Sequence, residues 1–273
     1  MHTVTAHGAS IPAIGLGTWM LNGQRCVEAV SAAIGAGYRH IDTAIGYSNE
    51  TEVGEGIRAA GVPRDTLFVT TKIPPDQLGA DAMLRAAEGS LARLKLDQVD
   101  LLLIHWPSQT LSAAETIRSL NAVKRRGLTR HIGVSNYTIR LLDEAWAATE
   151  EPIVANQCEH HPYLDQTRLR AATHRHGMAF VAYSPLGQAE ALDEPVIKDI
   201  AAKLGCTPAQ IILRWHMQNG SVAIPRSAHP ARIRQNIDVF GFELSADDMA
   251  AIDALQSTGT RICDYSFSPE WDV

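Results

Sequence analysis

The chain has 273 residues, 45% of them hydrophobic and 20% charged, with a formal net charge of −6. That is the composition of a soluble globular protein with ample core, and its acidic balance excludes a nucleic-acid or membrane-surface protein, which needs a basic face. No apolar run approaches the ~20 residues of a bilayer span, "MHTVTAHGAS" has no signal-peptide core, and the cysteines at 26, 158, 206 and 263 share no short spacing, as suits a reducing cytoplasm rather than a disulfide scaffold or zinc knuckle.

The first segment, "TVTAHGASIP", reads as a hairpin turning at His7-Gly8 and is expected to plug the underside of the fold. Eight short apolar runs come next: "AIGLGTW" (13–19), "HIDTA" (40–44), "LFVTTKI" (67–73), "VDLLLIHW" (99–106), "HIGVSNY" (131–137), "IVANQCEHH" (153–161), "AFVAYSP" (179–185) and "SVAIPRS" (221–227). Segments such as "QRCVEAVSAAIGAG" and "ADAMLRAAEGSLARLK" lie between them, with apolar residues at helical spacing. Glycines 37, 61, 127 and 177 stand where those helices should end. Eight strand–helix alternations predict a parallel (β/α)8 TIM barrel, in one domain over residues 1–273. Near the end "SADDMAAIDALQ" opens with a Ser-x-x-Asp cap and predicts an added helix.

In such a barrel the chemistry collects at the C-terminal ends of the strands. Those ends supply Asp42, Lys72 and His105, with Tyr47 in the loop above Asp42. Taken singly, a lysine at a strand end is a solvated terminus and a histidine before Trp-Pro is a core residue. Together they have one chemical sense. A phenol, ordinarily a poor acid with pKa near 10, gains from an ammonium about 4 Å away up to ~4 kcal/mol of phenolate stabilisation at an effective dielectric of ~20. The lysine is thus expected to lower the phenol's pKa, offset in part by desolvation. Asp42 would hold Lys72 charged, and His105 would orient a substrate oxygen. Such a group gives a proton to an oxygen that gains charge, as when a carbonyl becomes an alkoxide.

The stretches "GLGTW", "GYRHIDTA", "TTKI", "DLLLIHWP", "IGVSN", "VANQ", "AYSPLG" and "IPRS…ARIRQN" together resemble the aldo-keto reductase family, from the hairpin to about residue 257. The resemblance implies that Asp42, Tyr47, Lys72 and His105 form the catalytic tetrad, with Tyr47 as general acid. It also implies an extended NADPH (NADP+) across the barrel mouth. "GLGTW" lacks the third glycine and the acidic residue of a Rossmann fingerprint. By the resemblance, Tyr183 stacks on the nicotinamide, Ser135, Asn136 and Gln157 bond its carboxamide, and Ser184, Pro185, Leu186 and Gly187 follow the pyrophosphate. Gly17, Thr18, Trp19 and Asp42 complete that wall. Arg226, Ser227 and Arg232 sit around a helix N-terminus, a favourable place for phosphate, with Ile224, Pro225, Gln235 and Asn236 beside them. This cluster predicts a 2′-phosphate site and hence NADPH over NADH. Arg226 stands where many relatives have lysine and Gln235 where many have glutamate, which implies a less strict preference.

Trp19, Tyr47, His105 and Trp106 are expected to line the substrate pocket. The brief connection "PSQTLSAAE" and a tail of 17 residues after Gln256 predict an open mouth with few enclosing groups and no carboxylate-binding arginine. The chain resembles the compact bacterial members that reduce methylglyoxal and diketogluconate, and "SPEWDV" looks like their ending. The implied partner is a small carbonyl compound, with no nucleic acid, no membrane and a monomeric state. "CEHH" (158–161) does not suit a metal, because on a strand Cys158 and His160 face away from Glu159 and His161. "HRH" (174–176) reads as a solvated helix end. A hydrolase would need paired carboxylates or a histidine-rich metal site at the strand ends. A non-catalytic nicotinamide sensor of the same fold is the alternative, and cofactor oxidation on adding an aldehyde separates the two.

Overall fold

The computed structural model describes residues 2–258 and 261–272. The chain opens with an antiparallel hairpin, β1 (Thr3–Ala6) and β2 (Ala9–Pro12). His7 and Gly8 at its tip have φ of 45° and 84°, the left-handed pair that a two-residue turn between twisted strands requires. Ala6, Ala9 and Ile11 pack with Phe68, Val154, Ala179 and Val222, residues at the starts of barrel strands, so the hairpin closes the underside.

Eight parallel strands come after it: β3 (Leu16–Gly17), β4 (His40–Asp42), β5 (Phe68–Ile73), β6 (Val99–Ile104), β7 (Thr129–Ser135), β8 (Ile153–Glu159), β9 (Ala179–Tyr183) and β10 (Val222–Ala223). Each pairs with its neighbour in sequence. The ring closes where the Gly15 N–H donates to Ala223 O at 2.9 Å and the Gly17 N–H to Pro225 O at 3.1 Å. A Cβ on Gly17 would lie 2.7 Å from Ile224 O, so only glycine lets the two edges meet. The strands on either side of this seam are two residues long, shorter than the runs 13–19 and 221–227 suggest. Pro225 contributes to that, having no N–H to extend the ladder.

The strands β5 and β6 are buried along their whole length, as sheet covered on both faces must be. The covering helices are α1 (Gly23–Gly35), α2 (Glu50–Ala59), α3 (Ala80–Leu94), α4 (Ala113–Arg125), α5 (Ile139–Ala148) and α6 (Thr167–Arg175). Then come α7 (Pro195–Leu204), α8 (Pro208–Gln218), α9 (Pro230–Ile237) and α10 (Ala246–Asp253). Two helices, not one, lie between β9 and β10. Gly205, at φ 66°, ends α7, and Thr207 with Gln210 forms a capping box that starts α8. Ser245 and Asp248 form the expected cap of α10. No described helix is long and apolar enough to cross a membrane.

Candidate active site

All eight strands end on one face, and the register decides which side chains meet there. Asp42 ends β4, and Lys72 lies on the neighbouring β5. The Lys72 ammonium is fully buried and donates to Asp42 Oδ1 at 2.5 Å, Thr43 O at 2.8 Å and Tyr47 Oη at 3.2 Å. Its three protons are thereby all used. Asp42 Oδ2 accepts from Gln157 Nε2 at 2.8 Å. His105 comes directly after β6, fixed by its N–H to Ile73 O at 2.9 Å, and its ring stands edge-on to Tyr47 with centroids 5.6 Å apart. Asp42, Tyr47, Lys72 and His105 thus come together as the strand order requires.

The electrostatics depart from the expectation on one point. Burial penalises the Lys72 charge, but Asp42 and then Tyr47 outweigh it and the lysine's pKa is raised. For Tyr47, burial raises the pKa and outweighs the lowering by Lys72, so the phenol sits above its ordinary 10.0 instead of below it. The main reason is that the phenol is desolvated, and the nearby Asp42 carboxylate raises it further. Tyr47 is therefore a neutral phenol that holds its proton until a stronger demand arises. Burial, followed by Lys72, pushes His105 down to about 3. At neutral pH it is an uncharged imidazole.

The opposite side of the mouth is built on a strained residue. Asn136 has φ 61°, a left-handed conformation that asparagine tolerates better than most. Its Nδ2 donates to His105 O at 2.9 Å and Ser135 Oγ at 3.1 Å, and its Oδ1 accepts from Tyr183 Oη at 2.8 Å. One amide thus ties together the ends of β6, β7 and β9.

Between these walls lies a cleft of about 960 Å³. Asp42, Tyr47, His105, Asn136, Gln157 and Tyr183 line it, with Gly17, Thr18 and Trp19 on one side and Ser184, Pro185 and Leu186 on another. Ile224, Pro225, Arg226, Ser227, Arg232, Gln235 and Asn236 line its far end. Ser135, Gly187 and Lys72 do not reach its surface. Ser135 Oγ lies beneath, donating to Gln157 O at 2.8 Å, and Gly187 shapes a turn by donating its N–H to Ser184 O at 2.9 Å. Ser48 beside Tyr47 has φ 56°, a conformation that favours glycine.

The tail adds enclosing groups to the mouth that its short length did not suggest. Cys263, Tyr265 and Phe267 line the cleft. Trp106 is buried among tail aromatics, with ring centroids 5.6 Å from Tyr265, 5.4 Å from Phe267 and 6.1 Å from Trp271. Trp19 on the other wall is 43% exposed. Three aromatics within seven residues, in a chain that is only 6% aromatic, were the available signal for this wall. Arg25, at the start of α1, also lines the cleft. The "CEHH" residues hold no metal arrangement: Glu159 and His161 bond each other at 2.9 Å, and no group of three or more metal-ligating residues occurs among the described residues. In "HRH", His174 and Arg175 are exposed as expected, whereas His176 is half-buried and bonds Asp143 Oδ1 at 2.8 Å.

Comparison with known proteins places this geometry. The Aldo/keto reductase family profile matches residues 13–257. The chain is 46% identical to the 2,5-diketo-D-gluconic acid reductase B of a Corynebacterium species, over 89% of this chain and 88% of that protein. It is 44% identical to the morphine 6-dehydrogenase of Pseudomonas putida, over 94% and 91%. Among solved structures, a Bombyx mori aldo-keto reductase in complex with NADP superposes with a TM-score of 0.92 at 34% identity, covering 97% of this chain and 95% of that one. A barrel of this topology, a family match over most of its length and relatives well above 30% identity leave one conclusion: the chain belongs to the aldo/keto reductase family.

Proposed function

We propose that the protein is an NADPH-dependent cytoplasmic reductase of small aldehydes and dicarbonyls of the methylglyoxal type, with diketo sugar acids as a further substrate class. The observation that carries this reading is the buried Lys72, joined to Asp42 on one side and to Tyr47 Oη on the other. The likeness to a diketogluconate reductase supports the third substrate class.

The residues present suit the coenzyme. Arg226 and Arg232 are exposed at the far end of the cleft and enter no ion pair among the described residues. They flank the start of α9, where His229 supplies no side-chain cap, so backbone N–H groups there are open to an anion. Gln157 spends its Nε2 on Asp42 and keeps Oε1 without a partner among the described residues, available to a carboxamide. Ser135 is assigned to holding Asn136 in place rather than to direct contact. Bound NADPH supplies the hydride.

The chain's own residues supply the rest. Tyr47 gives its Oη proton to the carbonyl oxygen as negative charge develops there, and Lys72, 3.2 Å away, stabilises the phenolate left behind. Asp42 keeps the ammonium charged and in place. Neutral His105 donates an N–H to the same oxygen and orients it. Trp19, Trp106, Tyr265 and Phe267 form the apolar walls of the cleft.

These protonation states set the pH dependence. Turnover in the reducing direction should be flat from about pH 5 to 8, because His105 is already neutral there and Tyr47 is still protonated. It should fall only as pH rises past 10.0, where the raised Tyr47 begins to lose its proton. A profile of kcat against pH with an inflection near 6.5, the ordinary histidine value, would contradict the neutral His105.

The test of the function itself is NADPH oxidation over a panel of carbonyls. Apolar walls discriminate by only ~1–3 kcal/mol per methylene-sized difference, so activity should be broad, with reactive aldehydes and dicarbonyls ahead of simple ketones in kcat/KM. Absence of oxidation with every aldehyde, or one bulky ketone favoured by orders of magnitude, would overturn the reading.

A further inference from the structure

The "CEHH" stretch has a use that neither metal binding nor the reaction absorbs. Glu159 is the last residue of β8 and is fully buried. Its Oε1 accepts the Ile262 N–H at 2.6 Å and the His161 Nε2–H at 2.9 Å, and its Oε2 accepts the Cys263 N–H at 2.8 Å. His161 Nδ1 accepts the Tyr163 N–H at 3.3 Å, which leaves its Nε2 to face Glu159. Burial pushes the Glu159 pKa up, but the bonds from His161, Ile262 and Cys263 more than offset this and hold it low. A charged carboxylate thus grips two successive backbone amides of the tail from inside the barrel.

Beyond the packing of Tyr265, Phe267 and Trp271 against the buried Trp106, the other attachments of the tail are exposed or half-buried. Gln109 Nε2 donates to Phe267 O at 2.9 Å, Asp272 Oδ2 accepts the Ile139 N–H at 2.9 Å, and the Arg261 guanidinium lies 3.7 Å from the Trp271 ring centroid. Among the described residues Glu159 is the one buried charge on the tail's backbone, and charge-assisted bonds of this kind are the strong ones. Tyr265 and Phe267, the cleft-lining aromatics, lie only a few residues beyond the gripped amides. The same strand carries Gln157, bonded to Asp42. One stiff strand therefore sets the distance between the proton-donating group and the aromatic wall.

We infer that Glu159 is a positioning residue for the substrate pocket: it fixes the tail over the cleft and thereby sets the affinity for carbonyl compounds large enough to touch Tyr265 and Phe267. The kinetic half of this inference rests on the reductase reading; the anchoring half does not.

The test is Glu159→Gln, which keeps the shape but turns one acceptor oxygen into a donor facing a backbone N–H. With the NADPH-loaded enzyme, KM for phenylglyoxal should rise about tenfold or more, while kcat for methylglyoxal changes by less than about threefold. Trypsin cleavage after Arg261, followed by mass, should accelerate about tenfold, because the tail opens more often. Parallel losses for both aldehydes, or faster cleavage without the KM split, would overturn the inference. Should that variant fail to fold, Glu159→Asp keeps the charge and withdraws it by one methylene, and no change in either readout would be equally decisive. If the unaltered protein reduces neither aldehyde, the reductase reading fails, and the cleavage rates still decide whether Glu159 anchors the tail.

Discussion

Replacing Tyr47 by phenylalanine should lower kcat for carbonyl reduction by about 100-fold or more and leave NADPH affinity nearly intact. The substitution removes one oxygen and little else. The ring keeps its edge-on contact with His105, and Lys72 keeps Asp42 and Thr43 O as partners, so the buried charge remains compensated. What is lost is the phenolic proton held 3.2 Å from the ammonium. His105 can still orient the substrate oxygen, but as a neutral imidazole it is a far weaker proton source than a phenol assisted by Lys72. Single-turnover rates with saturating NADPH isolate the chemical step. A variant that kept most of its turnover would remove Tyr47 from the acid role and leave the barrel's other assignments standing.

Loss of both arginines at the far end of the cleft should be the second large effect. Arg226→Ala with Arg232→Ala should raise KM for NADPH by about 10- to 100-fold per arginine, since each charge-assisted bond is worth ~1.5–3 kcal/mol. The KM for NADH, which lacks the 2′-phosphate, should change far less. Both guanidinium groups are exposed, so the loss should shrink as ionic strength rises. Arg234→Ala is the internal control: it lies on the same helix and is exposed, but does not line the cleft. Equal effects on the two coenzymes would mean that these arginines do not read the phosphate.

What was legible in the sequence was what short segments encode. "HIDTAIGY", "TTKI" and "LIHWP" each place one polar side chain at the end of an apolar strand, and parallel neighbours must bring those ends together. The hairpin, the capping box of α10 and the helix-ending glycines were legible for the same reason. The tail was not. Its position depends on Glu159 reaching Ile262 and Cys263 across more than a hundred residues, a contact that leaves no periodic trace. The direction of the Tyr47 shift was hidden too, because the sequence reveals that a lysine is near but not how completely the phenol is desolvated. Ser135 shows a third limit: a strand-end position says which end of the barrel a side chain occupies, not whether it faces the cleft or lies beneath a neighbour.

The seam between β3 and β10 bears on how the barrel stays whole. A closed ring opens first at its thinnest join, and here two very short strands meet through a few backbone bonds and pair with β4 and β9 over only two residues each, while β5 to β9 share longer ladders. The residues flanking that join, Gly17 to Trp19 on one side and Ile224 to Ser227 on the other, all line the cleft. A dinucleotide bound there would touch both lips at once and so would act as a clasp on the ring as well as a reagent. Its binding energy would then be shared with the cohesion of the fold, and the naked protein should be the more readily unzipped of the two forms.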